Sequence, residues 1–355
     1  MNVLLRSLAV TGAVAALIIL ASGTAAAQPS LETPQVSPQA TVSQTIGIST
    51  VAVSFHRPGV KGRTIWGGLV PYGQVWRAGA NENTTVTFGD PVKVEGKDLP
   101  AGTYGLHMIP GQTEWTVIFS KNATSWGSYS YNQSEDALRV TVTPQPADNE
   151  EWMTFEFSDL TSTSATLALH WEKLRVPLKL TFDTDGIVLA HARNAYLRGN
   201  AGFSWQGYNQ AAGYCLRRGI DLDEGLAWAN KSISYNENFT NTSTKAGILE
   251  KMGKADEAQK VREHAEELAV TEQDMNGLGY QYLQAKQTKE AIDIFKKNVK
   301  KHPGSSNAYD SLAEAYAQSG DTKLAIENYN KALSLAQDED AKARINSQLQ
   351  KLQKK

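Results

Sequence analysis

Two stretches in the C-terminal half of the chain carry one pattern written twice. Met275, Leu278, Gly279, Tyr282, Ala291 and Phe295 are followed, each 34 positions later, by Tyr309, Leu312, Ala313, Tyr316, Ala325 and Tyr329. Within each copy the apolar positions fall three, four and seven residues apart, which gathers them on one face of a helix. A unit this short cannot bury such a face alone. Units therefore stack on their neighbours, and a stable array needs three or more of them. The C-terminal half must then be helical, with a core that runs from unit to unit.

The period, and the alternation of small with large residues, resemble the tetratricopeptide repeat (TPR), a pair of antiparallel helices that approach closely at small side chains. Pro303, eight residues after Phe295, falls where that family commonly ends its second helix. Upstream, Ala258 and Gly225 occupy the alanine position of two more degenerate units at spacings of 33, and Trp205 with Tyr208 belong to the first helix of the earliest. Residues 187–355 are thus expected to form three to four helical hairpins, closed by a polar capping helix from Asp340 onward. The resemblance implies a concave face that takes a protein or peptide partner. Candidate partner-binding residues are the polar first-helix positions Asn276, Gln281, Asn307, Asp310 and Glu314; the alternative is a solvated face.

Before residue 187 the texture is different. Runs rich in β-branched and aromatic residues at 51–55, 85–88, 115–119, 166–171 and 176–182 are separated by turn formers such as Gly89-Asp90-Pro91, Gly96-Lys97-Asp98 and Pro110-Gly111. Short strands at this spacing predict an antiparallel β-sandwich over 41–183. Asp183 to Gly186 closes it, and a helix is expected over 187–197. The fold class is therefore a multidomain β plus α chain, a sandwich followed by a TPR-like array, in keeping with a length of 355 residues.

The N-terminus carries one cation, Arg6, an apolar run over 8–20 and small residues ending Ala25-Ala26-Ala27. This is the layout of a secretory signal peptide (1–27), too short in its apolar core for a spanning helix. Export to the periplasm or beyond is the expected localisation, and 28–40, mixing proline with polar residues, is expected to be a flexible linker. The single cysteine, Cys215, excludes an intramolecular disulfide and reads as a small buried hydrophobe. A formal net charge of -2 leaves no electrostatic footprint for nucleic acid.

The densest polar stretch lies at 56–83, on a glycine- and proline-bearing connection. It holds His56, Arg57, Lys61, Arg63, Arg77, Asn81 and Glu82 beside Trp66, Tyr72 and Trp76. Long loops on a rigid scaffold are disproportionately functional. Arginine forks match carboxylates and phosphates, and the aromatic rings supply an apolar platform. A carboxylated glycan, a peptide C-terminus or a phosphorylated envelope component would fit. The alternative is that the arginines are solvated or paired with Glu82 and the tryptophans fill the core.

The stretch RPGVKGRTIWGGLVPYGQVWRAGANENT, followed by Leu99-Pro100-Ala101-Gly102-Thr103-Tyr104-Gly105, Met108-Ile109-Pro110-Gly111, Glu114-Trp115-Thr116-Val117 and Trp126-Gly127, resembles the domain-of-unknown-function family 2911 over about 36–183. The resemblance implies an exported protein of Bacteroidetes-type bacteria and supplies no catalytic residues. No G-x-S-x-G elbow, phosphate loop or His-Glu-x-x-His pattern is present, and no metal site or cofactor is expected. A catalytic reading would rest on His56, Arg77 and Glu82 alone. The sequence therefore points to an envelope binding or adaptor protein. The alternatives are an enzyme acting on envelope glycan or peptide through the 56–83 loop, and a purely structural assembly protein.

Overall fold

The structure is a computed structural model that describes residues 33–353. The segment read as a signal peptide, and the linker up to residue 32, lie outside the described residues.

Among the described residues ten strands form two antiparallel sheets. One carries, in order, β1 (Gln39–Ile46), β2 (Ser49–His56), β3 (Thr85–Phe88), β6 (Gly102–Ile109), β7 (Trp115–Ser120) and β8 (Asp136–Val142). The other carries β5 (Lys97–Leu99), β4 (Val92–Val94), β10 (Ser164–Thr181) and β9 (Gln145–Ser158). Side chains alternate along each strand, so Val51, Val53 and Phe55 of β2 point inward and meet Leu167, Leu169 and Trp171 of β10 in one shared core. The expected sandwich is observed. Two details differ from the sequence reading. The linker ends before Gln39, because residues 39–40 already pair with Phe55 and His56. The runs at 166–171 and 176–182 belong to one strand, bent at Glu172, where φ is +53° and the register with β9 shifts; a bulge interrupts the burial pattern without ending the strand.

The helical region opens with α1 (Thr184–Asn194), three residues earlier than expected because the Asp183 side chain accepts from the Gly186 N–H and caps it. Ile187 of α1 packs on the sandwich core while Leu189 and Ala192 join the first helical cluster. Four hairpins follow: α2 (Trp205–Arg218) with α3 (Leu222–Tyr235), α4 (Phe239–Lys251) with α5 (Ala255–Leu268), α6 (Glu272–Gln284) with α7 (Thr288–Lys301), and α8 (Ser306–Ser319) with α9 (Thr322–Leu335). A final helix, α10 (Glu339–Gln353), closes the array. The repeat positions do what the pattern requires. Ala258, Ala291 and Ala325 are buried, and a Cβ on Gly225 would lie 2.7 Å from Cys215 Cβ, so only glycine admits this approach of α3 to α2. Cys215 is itself fully buried and its thiol is pushed up to about 11 by burial, which keeps it protonated and unreactive. Among the described residues no helix is long and apolar enough to cross a membrane.

Candidate functional site

Residues 57–84, which join β2 to β3, form no regular strand yet are fastened to both sheets. Trp76 and Met108 of β6 exchange two backbone hydrogen bonds of 2.8 Å, while Met153 N–H of β9 donates to Pro58 and Val60 N–H donates to Glu151. Ile65 and Val70 are buried anchors within the loop. Held this way, the loop walls a cleft of about 390 Å³ lined by Lys61, Arg63, Trp76, Arg77, Tyr129 and Trp171, together with residues 36–37, 58–59, 69–70 and 79–80. Among the described residues no carboxylate lines it. Glu151 is close by, and its Oε1 accepts the Lys61 backbone N–H at 2.9 Å. Three cations over a partly apolar floor make a positive concavity, which concentrates anions.

The candidates of the 56–83 stretch divide into three groups. Lys61, Arg63, Trp76 and Arg77 reach the cleft. Arg63 spends part of its fork on the Val60 and Gly59 carbonyls, at 3.1 and 2.5 Å. Arg77 stays freer: its guanidinium lies 5.7 Å from the Trp126 ring centre and its Nε is buried with no partner among the described residues. A second group is structural. Arg57 donates to the Met153 and Trp152 carbonyls, Asn81 to the Ser37 carbonyl, and Tyr72 lies over Gly67. Trp66 sits in a cluster with Trp115, Trp171 and Trp76, its ring centre 4.8, 5.6 and 5.9 Å from theirs, so it fills the core. The third group is the pair His56 and Glu82, 3.2 Å apart and outside the cleft lining. Glu82 therefore pairs with a histidine and not with an arginine, and the three residues of the catalytic reading do not converge on one cavity.

Residues from elsewhere in the chain complete the site. Trp126 and Tyr129 are 60% and 83% exposed and stack nearly parallel at the rim, with ring centres 6.0 Å apart. Between them Gly127 adopts φ +73°, and a Cβ there would lie 2.9 Å from Arg77 Nη1 and 3.2 Å from the Tyr129 ring. Gly127→Ala should therefore displace both groups and strain the backbone by about 1–2 kcal/mol. Quenching of tryptophan emission by iodide will report the rim: the variant should show altered accessibility with the sandwich still folded, and an unchanged profile would contradict this packing. Behind the rim, His107 Nδ1 and Ser128 Oγ are 2.9 Å apart. This resembles a catalytic pair, but Asp136 is engaged by Tyr131 and Arg139 instead of by the imidazole. Burial lowers His107 to about 4, so it is a poor base near neutral pH. Composition alone does not distinguish an exposed tryptophan from a core one, and that is why these residues escaped the sequence reading.

In the array, inter-repeat bonds already occupy most of the expected partner-binding residues. Asp310 is 4% exposed and paired with Arg344 of α10 at 2.7 Å, and burial raises its carboxyl. Glu314 accepts from Tyr280 at 2.8 Å, Asn307 donates to Glu272 at 3.3 Å, and Asn276 keeps a buried, unpartnered Oδ1. Gln281 is exposed and lines a separate groove between α4, α5 and α6. Asp310 is thus a structural strut between the last repeat and the cap, because its position faces the capping helix and not open solvent.

Residues 37–180 match the family model described as "Protein of unknown function (DUF2911)". The matched stretch coincides with the sandwich. Residues 222–337, behind it, match the model described as "Psidin, N-terminal TPR repeats region". Among solved structures, the chain is similar to YrrB, a TPR protein with an unusual peptide-binding site, at 18% identity over 46% of this chain and 84% of that one, with a TM-score of 0.30. PcrH from Pseudomonas aeruginosa matches at 20% identity over 32% of this chain and 91% of its own, TM-score 0.27. TTC0263, a thermophilic TPR protein of Thermus thermophilus, matches at 18% identity over 46% and 90%, TM-score 0.33. No match to a curated protein was found. Apart from Val36, the residues lining the cleft described above fall within the stretch that the DUF2911 model matches.

Proposed function

We propose that this chain is an exported envelope adaptor whose DUF2911 domain holds an anionic ligand in the cleft under the 57–84 loop while its TPR array docks a protein. The observation that carries the reading is the cleft lining, which brings Lys61, Arg63 and Arg77 together with no carboxylate among the described residues that line it. Arg77 is central, since it lines the cleft and its buried Nε has no partner among the described residues, which leaves its guanidinium less committed than that of Arg63. Export rests on the layout of residues 1–27, and the docking role on the repeats.

The test uses the mature chain and its Arg77→Ala variant as baits in envelope extract, with anion binding followed in parallel by calorimetry. Losing a charge-assisted hydrogen bond weakens binding by about 1.5–3 kcal/mol, roughly 10- to 100-fold. The variant should lose anions to that extent, retain any protein partner and keep its thermal midpoint. Loss of fold would favour the structural reading. Turnover of an envelope glycan or peptide, abolished in the variant, would favour an enzyme.

A further inference from the structure

We infer that the ligand class of the cleft is an acidic sugar, a pyranose bearing a carboxylate, with its ring face on Tyr129 and its carboxylate on Arg77. This narrows the anion-binding reading above and rests on it.

The inference starts from two side chains that stability does not explain. Trp126 and Tyr129 stand 60% and 83% exposed, so they add little to the core. Yet they are held in order. Their planes differ by 10°, the Arg77 guanidinium lies against Trp126, and Gly127 in a left-handed conformation leaves room for both neighbours. The point a Gly127 Cβ would occupy is 2.9 Å from Arg77 Nη1 and 3.2 Å from the Tyr129 ring, so a forked cation and an exposed aromatic ring flank the same glycine and lie close to one another. An aromatic face is electron-rich and attracts positively polarised edges. The C–H groups on one face of a pyranose are of that kind, and a ring carboxylate projects from the edge to reach a guanidinium.

The other anions fit less of the site. Inorganic phosphate would engage the cations and leave the ordered aromatic rim without a role. A peptide terminus would seek main-chain partners, but three of the carbonyls among the lining residues already accept: Gly59 from Arg63, Gly79 from Trp76 Nε1 at 3.1 Å and Ser37 from Asn81 at 3.2 Å. A cleft of about 390 Å³ is of the size that holds one or two sugar rings.

The test is calorimetric titration of the mature protein with hexasaccharides of galacturonate, of mannuronate and of alternating glucuronate and N-acetylglucosamine, with their carboxyl-reduced counterparts and with inorganic phosphate. At least one uronate should bind, and its reduced form should bind at least 10-fold more weakly. Arg77→Met and Tyr129→Ala should each weaken it 10-fold or more. Tyr129 is exposed, so its variant keeps the fold even where the Arg77 variant does not, and thermal midpoints check this. Binding of a uronate that Tyr129→Ala leaves unchanged would overturn the sugar assignment and leave the anion site standing. So would phosphate binding with no uronate binding. Failure of every anion to bind would overturn both readings.

Discussion

Phe295→Ala should destabilise the repeat array by about 3–5 kcal/mol, the usual cost of emptying a buried phenylalanine site. Phe295 is fully buried in α7, edge-on to Tyr280 at 5.4 Å, and belongs to the cluster that includes Leu283 of its own hairpin with Leu312 and Tyr316 of the next. It also closes on Gly279 so tightly that a Cβ there would collide with its ring. The cavity would fall at a junction between units, and in a one-dimensional array each unit is stabilised by its neighbours. The helical signal in chemical denaturation should accordingly move to lower midpoint while the sandwich transition stays in place. A loss below about 1 kcal/mol would mean that the site collapses around the smaller side chain.

Acidification should destabilise the sandwich by up to roughly 3 kcal/mol through His107 alone, taking about 1.4 kcal/mol per pKa unit. His107 is 2% exposed and burial lowers it to about 4, whereas an unfolded histidine titrates near 6.5. Above about pH 6.5 both states are neutral and stability is complete. Between pH 6.5 and 4 the unfolded chain takes up a proton that the folded chain refuses, so stability is lost as pH falls through that window. Asp136 opposes the shift without cancelling it. His107→Gln, which keeps a partner for Ser128 but no titration in this range, should flatten the denaturation midpoint of the sandwich between pH 6.5 and 4. An equally steep slope in the variant would assign the effect to other groups.

Much of the fold was legible because it is made by contacts close in sequence. Gly279 meets Phe295 sixteen residues on, and Gly225 meets Cys215 ten residues back. Such pairs leave a periodic trace that survives in the order of residue types. The sandwich was legible for a related reason, since alternation along β2 and the turn formers between strands are local. The bulge at Glu172 was not, because a bulge shows itself only against the partner strand.

The site was legible only in part. Lys61, Arg63, Trp76 and Arg77 were marked as candidates by their crowding in a loop, and these four do line the cleft. Crowding along the chain did not reveal which of the ten residues face one space. Arg57 turned to β9, Trp66 to the core and Glu82 to His56. Nor did it reveal Tyr129 and Trp171, which arrive from 52 and 94 positions beyond Arg77.

The sequence by itself determined the kind of repeating unit and bounded the number at three to four, because helix packing at a period of 33–34 residues demands small and large side chains at set places. Only the tertiary structure decided which cations meet which aromatic rings, because that depends on how two sheets and a long loop come together in space, and no local pattern encodes a contact between residues so far apart.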